Sequence, residues 1–253
     1  MSSVRIFLPP EKIKKEMILE GKEARYLKNI LRLGKGEKVE VLDGRGKGYV
    51  YVISKLQSNR VFINLEQERE ILNESPLNLI LGQAILKRDS MEIVIQKATE
   101  LGVKKIYPLI TARTQLRFTR KLPRWRKIVQ EAARQSGRGQ IPEIPEVMKL
   151  KDFLRLPLEG IVLWEGERRR GLRDFLKAHK KKDLCILVGP EGGFLPEEIK
   201  ECERKGFLPV SLGPRILRAE SVPLAVLSIL QYEWGDLGRC EVTHNVSISN
   251  VRF

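Results

Sequence analysis

Residues 184–199 read LCILVGPEGGFLPEEI. The opening Leu184–Val188 is a short apolar run, the pattern of a strand covered on both faces. Gly189-Pro-Glu-Gly-Gly193 interrupts it, and Pro196 followed by Glu197 and Glu198 opens a helix. Proline suits a first helical turn, and carboxylates suit the positive end of the helix dipole. Strand, glycine loop and helix recur on both sides. Ile161–Trp164 runs into Trp164-Glu-Gly166, and Leu208–Leu212 runs into Leu212-Gly-Pro-Arg215. Upstream, strand Leu79–Leu86 precedes a helix with Asp89 at its cap. The apolar face of that helix is Met91, Val94, Ile95, Ala98 and Leu101, and Gly102 ends it. Lys104–Ile110 is the next strand, and Pro123 opens a helix running to about Gln135. This alternation predicts an α/β domain, a mostly parallel sheet covered by helices.

Before Leu77 the rhythm differs. Strand-like runs Val4–Leu8, Lys38–Leu42, Tyr49–Ser54 and Val61–Leu65 are separated by turns such as Asp43-Gly-Arg-Gly-Lys-Gly48. One helix-like segment, Glu23–Leu33, lies among them. A small β-barrel is expected, with Asn73-Glu-Ser-Pro76 marking its end. The division is therefore 1–72 and 73–253. From about Gly235 the chain is polar and reads as a loose tail.

In an open α/β sheet, ligands bind beyond the carboxyl ends of the strands. Three glycine loops there are expected to line one pocket, since glycine lets backbone approach a ligand closely. None of them carries a phosphate-binding fingerprint. Glu191, inside the first loop, would repel a phosphate but tolerate a cationic ligand. Taken alone, Gly189–Gly193 reads equally well as a tight turn feeding a helix.

Lys and Arg number 47 against 32 Asp and Glu, a net charge of +15. A polyanion partner is expected, nucleic acid before membrane. Thr111–Gly139 concentrates the charge, with nine Lys/Arg against the single acid Glu131. Cys185, Cys202 and Cys240 are too scattered for a disulfide framework or a zinc site, and His179 and His244 lie far apart. Cys185 falls in an apolar strand and reads as core. These features predict no metal and a cytoplasmic location. Arg5 and the Pro9–Pro10 pair interrupt any signal peptide, and the longest apolar stretch, Val222–Leu230, is too short to span a bilayer.

Two strings carry a resemblance. Residues 187–199, LVGPEGGFLPEEI, and 211–220, SLGPRILRAE, together resemble the RsmE family of small-subunit ribosomal RNA methyltransferases in the SPOUT superfamily. Gln96–Val103, Glu131–Ser136, Tyr26–Arg32 and Val41–Gly44 extend the match over nearly the whole chain. The chain departs from the family pattern at Arg25-Tyr26, where histidines are common, and at Glu220-Ser221, where Glu-Thr is usual. The resemblance implies a PUA-like RNA-binding barrel at 1–72 and a SPOUT methyltransferase domain with a C-terminal trefoil knot. It also implies a homodimer and S-adenosylmethionine as cofactor. The implied reaction is methylation of N3 of one uridine in the decoding region of 16S rRNA of the small ribosomal subunit.

On that reading the cofactor residues are Trp164, Glu165, Leu187, Val188, Gly189, Gly192, Gly193, Leu212, Gly213, Ile216 and Leu217. Backbone groups of Leu187, Gly189 and Gly192 would approach the adenosyl moiety, and Leu212, Ile216 and Leu217 would wall the adenine. Uracil N3 must lose its proton before accepting a methyl, so a fixed guanidinium is needed to stabilise the uridine anion. Arg218 is the candidate, and Glu220 would orient it or relay the proton; an ordinary surface Arg–Glu pair looks the same in sequence. Expected RNA contacts are Arg25, Lys28, Arg32, Arg113, Arg117, Arg120, Arg134 and Arg138. Phe118 and Trp125 would stack on a base or, more plainly for Trp125, pack in the core. Competing readings are a non-catalytic ribosome assembly factor, a nucleotide-dependent enzyme, and a methyltransferase acting on tRNA or on a ribose hydroxyl.

Overall fold

The computed structural model describes residues 4–71, 73–115 and 120–239. Val4–Phe7 (β1), Glu16–Glu20 (β2), Lys38–Leu42 (β3), Lys47–Leu56 (β4) and Arg60–Glu70 (β5) form one sheet in the order β1-β3-β4-β5-β2. Only the β1–β3 pairing is parallel. Its apolar side encloses Leu27, Val39, Val41, Tyr51, Ile53, Val61 and Ile63. The strand β2 was not expected from sequence. It buries only Met17 and Leu19, while Glu16, Ile18 and Glu20 face outward, so its alternation is short and flanked by acids. The expected helix-like segment Glu23–Leu33 is present, shifted toward the N-terminus, as Gly21–Arg25 (α1) running into a wider π-helical turn over Tyr26–Ile30. Gly21 and Arg32, at φ 63° and 54°, bound this stretch in the left-handed region, which breaks regular helix on either side.

The second sheet contains Asn78–Ala84 (β6), Lys105–Ile110 (β7), Met148–Lys149 (β8), Gly160–Leu163 (β9), Asp183–Val188 (β10) and Phe207–Val210 (β11). Its order is β11-β9-β10-β6-β7-β8, with every pairing parallel. The covering helices are Ser90–Glu100 (α2), Leu122–Ser136 (α3), Leu150–Phe153 (α4), Leu172–Ala178 (α5), Pro196–Arg204 (α6) and Ser221–Glu233 (α7). Side chains of β10 alternate between two cores. Leu184, Ile186 and Val188 join one, with Trp125 of α3 and Val226, Leu227 and Leu230 of α7. Cys185 and Leu187 join the other, with Phe153 and Phe207. Burial on both faces is why the strand is apolar throughout. It also pushes the Cys185 thiol far up, and the Cys202 thiol up to about 12. Trp125 is core, 1% exposed. Asp89 sits at the start of α2 without making a side-chain cap bond.

The two sheets meet at the end of α3. Gly137 terminates that helix at φ 77°, and the Gly44–Gly46 turn docks on the residues after it. The Gly46 amide donates to the Gly139 carbonyl at 3.1 Å, and the Ile141 amide to the Gly44 carbonyl at 3.2 Å. Arg134 lies over the Tyr26 ring at 4.3 Å and pairs with Glu131.

Arg138 corrects one sequence expectation. It is 3% exposed, and its guanidinium donates to the Thr99 and Val103 carbonyls at 2.9 and 2.8 Å and to Glu74 at 2.8 Å. A buried guanidinium with its donors engaged cannot reach a phosphate. Arg138 instead ties the boundary residue Glu74 to the end of α2. Arg134, with its side chain 20% exposed between Tyr26 and Glu131, is likewise engaged within the fold. Arg117, Phe118, Cys240, His244 and most of the expected tail lie outside the described residues. Among the described residues no helix is long and apolar enough to cross a membrane.

Candidate functional site

Strands β11, β9 and β10 are neighbours, so the loops leaving their carboxyl ends lie side by side. They enclose a cavity of about 340 Å³, completed by the start of α7. β9 contributes Leu163, Trp164, Glu165 and Arg168. Val188 and Gly189–Phe194 follow β10, and Val210–Leu217 follow β11. Every expected cofactor residue but one lies on this wall. The Leu187 side chain does not: strand alternation turns it to the opposite face, into the core with Leu109 and Phe153, and the lining begins at Val188, so the contact expected of Leu187 is one through its backbone.

Local chemistry shapes each loop. The Gly193 amide bonds back to the Pro190 carbonyl at 2.9 Å, closing a tight turn. Gly193 has φ 69°, and a Cβ there would sit 2.6 Å from Glu165 Oε1; only glycine fits both demands. The β9 loop is held by Glu167, whose carboxylate accepts the Arg169 and Arg170 amides. Those bonds hold Glu167 below the usual carboxylate range. The Leu172 amide to the Ser211 carbonyl and the Ser211 amide to the Arg170 carbonyl, both 2.9 Å, lace the β9 and β11 loops together.

The cavity has an apolar wall of Leu163, Val188, Val210, Leu212, Ile216 and Leu217, with exposed Glu165, Arg168, Glu191 and Arg215 on its rim. Glu191 accepts the Lys87 amide at 2.9 Å, so its charge is anchored rather than free to swing. Volume, apolar wall and few polar groups suit one small organic ligand.

Arg218 and Glu220 flank Ala219, which lines the cavity. Arg218 is exposed, and among the described residues no ion pair or side-chain hydrogen bond engages it. Its carbonyl accepts the Ser221 and Val222 amides at 2.8 and 3.2 Å, starting α7. Glu220 is the cap residue of α7 and makes no ion pair with Arg218, so the expected orienting contact is absent.

The family described as RNA methyltransferase domain matches residues 73–231, and the family described as RNA methyltransferase PUA domain matches residues 19–66. A ribosomal RNA small subunit methyltransferase E from Synechocystis is 36% identical over 231 residues, covering 88% of this chain and 76% of that protein. This chain belongs to the ribosomal RNA small subunit methyltransferase E family. Solved structures agree in fold. A family member from Neisseria gonorrhoeae bound to S-adenosyl methionine is 33% identical, with a TM-score of 0.85 over 93% of this chain and 99% of that one. A Legionella pneumophila protein in complex with bound cofactor SAM is 35% identical, with a TM-score of 0.85 over 94% and 100%.

Within this family member, the expected RNA contacts fall into separate groups. Arg25, Arg32 and Arg120 are exposed. Lys28 donates to the Gln57 and Ser58 carbonyls at 3.0 and 3.2 Å, which pins the β4–β5 turn. Arg113 is exposed, yet it reaches back to the Gly192 carbonyl at 2.6 Å. Arg168, Ser211, Arg215 and Val222 line the cavity and were not singled out from sequence. Arg215 lies in a loop already read as lining the pocket, and Arg168 lies two residues past the Trp164–Gly166 loop, so their positions were the available signal.

Proposed function

We propose that this protein transfers a methyl group from S-adenosylmethionine to N3 of one uridine in the decoding region of 16S rRNA in the small ribosomal subunit. The observation that carries the reading is the cavity at the ends of β9, β10 and β11, whose lining coincides with the expected cofactor residues. It fits this cofactor. Apolar side chains offer a wall for an adenine, a left-handed glycine brings backbone close, and two carboxylates on the rim suit a ligand carrying positive charge. The family's SAM-bound members support the same assignment.

The bound cofactor supplies a methyl group already activated by its sulfonium. What remains for the chain is positioning and charge. Uridine N3 gives up its proton, and the resulting negative charge spreads over the two flanking carbonyl oxygens. Arg218, beside the cavity and with no ion pair or side-chain hydrogen bond among the described residues, is placed to stabilise that anion. Glu220 stands at the same turn and can take or pass on the proton. With the cofactor bound, the N3 anion so held would be the group that accepts its methyl.

The reading extends to architecture and assembly. Residues 1–72 form the PUA-like barrel, and 73–253 form the SPOUT domain with its C-terminal trefoil knot. The protein works as a homodimer in the cytoplasm. Exposed Ile229, Tyr232 and Leu237, on or just after α7, support a dimer surface. Buried free Cys185 and Cys202 are at home in a reducing compartment.

The direct test is transfer of labelled methyl to small subunits lacking the mark, with naked 16S rRNA and tRNA alongside. Label at one decoding-region uridine is expected; label only on tRNA, or none despite cofactor binding, would overturn the reading. Two further results are expected. Gly193→Val should abolish SAM binding in calorimetry, because it forces a β-branched residue into a left-handed turn against Glu165; unchanged affinity would mean the cofactor lies elsewhere. RNA affinity should fall about a hundredfold between about 50 and 200 mM salt if about five phosphates of single-stranded RNA are contacted. A flat salt profile would remove Arg25, Arg32 and Arg120 as phosphate contacts.

A further inference from the structure

The loop after β7 and the glycine loop after β10 leave strands that are not neighbours, since β6 lies between them. The loop after β7 is nevertheless bonded once to the glycine loop and once to the first turn of α6, which follows it. Arg113 Nη1 donates to the Gly192 carbonyl at 2.6 Å, and the Ala112 amide donates to Glu198 Oε1 at 2.8 Å. The other oxygen of Glu198 accepts the Leu195 amide at 2.9 Å, at the start of α6. The Arg113 stem also packs on the loop, because a Cβ on Gly192 would lie 3.3 Å from Arg113 Cδ. Neither Arg113 nor Glu198 lines the cavity. Arg113 grips the carbonyl of the lining residue Gly192, and Glu198 holds the amides of Ala112 and Leu195.

We infer that Arg113 and Glu198 are positioning residues: they clasp the loop after β7 to the cofactor-holding loop, so that RNA and cofactor strengthen each other's binding. This rests on the proposed function, in which both are ligands. The loop after β7 opens the basic segment Thr111–Gly139. RNA that orders Ala112 and Arg113 therefore also orders Gly192, and the cost of ordering is met once for two ligands. By linkage, a cofactor that fixes Gly192 must tighten RNA binding by the same factor. Charge-assisted bonds to backbone, short and directional, can transmit such ordering across an intervening strand.

The test is calorimetry with S-adenosylmethionine on the full chain, with and without a saturating decoding-region fragment of 16S rRNA. The wild type should bind the cofactor about tenfold more tightly with RNA present. Arg113→Ala should weaken cofactor binding without RNA and reduce the RNA effect to less than about twofold, while the salt slope of RNA binding stays the same. Glu198→Ala, which removes no positive charge, should lose the coupling too, and the double variant should lose no more than either alone. Arg113→Ala suffices if Glu198→Ala, which also removes a helix-start bond, does not fold. A salt slope lowered by about 0.7 with cofactor affinity unchanged would make Arg113 a phosphate contact and overturn the clasp. Equal wild-type cofactor affinity with and without RNA would overturn the clasp and leave the proposed function standing. No cofactor binding by the wild type would overturn the proposed function, and the clasp with it.

Discussion

Arg218→Ala is expected to lower methyl transfer about 10²–10³-fold while S-adenosylmethionine affinity changes less than about threefold, the size of loss typical when one preorganised donor to a developing anion is removed. The split follows from position. Leu217 and Ala219 line the cavity and Arg218 does not, so its truncation leaves the cofactor wall in place. Its side chain has no ion pair among the described residues, so removal leaves no buried charge behind and the fold should hold. Single-turnover rates on unmodified small subunits would measure the first effect, and calorimetry the second. Arg218→Lys should recover only part of the rate, because an ammonium cannot present two parallel donors to the uracil. Near-normal turnover of Arg218→Ala would remove the residue from the mechanism.

Arg138→Ala should cost about 3–5 kcal/mol of folding stability, because it leaves the Glu74 carboxylate buried with its main partner gone. The side chains of Arg138 and Glu74 are 4% and 12% exposed. Burial alone would push Glu74 up, but the bonds from Arg138, Lys104 and the Gln140 amide outweigh it and hold it below the usual carboxylate range. A group with a lowered folded pKa stabilises fully above its unfolded value, about 4.3, and loses that contribution as pH falls through the folded value. Wild-type thermal stability should therefore drop as pH falls below about 4.3, and Arg138→Ala should show less of that drop. Chemical denaturation at several pH values would measure both. A loss under about 1 kcal/mol would mean the network is solvated, and Arg138 would return to the list of RNA contacts.

Arg138 shows where sequence reading reached its limit. Charge clustering over Thr111–Gly139 identified a basic segment, but charge density carries no information about burial. Arg138 and Arg134 look like Arg120 in sequence. Their burial arises because α3 ends against the first sheet, through contacts such as Gly46 with Gly139 that join residues far apart in the chain. Which way the Leu187 side chain faces is hidden for a simpler reason. In a strand covered on both faces, every position is apolar, so the sequence does not reveal which side chains face which core. The β2 strand was hidden by its acids, because two inward residues are too few for a periodic signal.

Other features were legible, because they depend on local chemistry. The strand–glycine loop–helix units around 161–166, 184–199 and 208–215 follow from apolar runs, positive-φ glycines and a proline at a helix start. Three such loops at strand ends were enough to expect one ligand site, and Trp164, Gly189, Gly193 and Leu212 all line it. The sequence by itself thus determined the parallel α/β layout and which loops make the cavity. The tertiary structure alone decided that β11, β9 and β10 stand side by side, that the Lys87 amide holds Glu191 and Arg113 holds the Gly192 carbonyl, and that Arg138 serves the fold. Each of these depends on contacts between distant segments, whose pairing is set by the packing of two cores rather than by any local pattern.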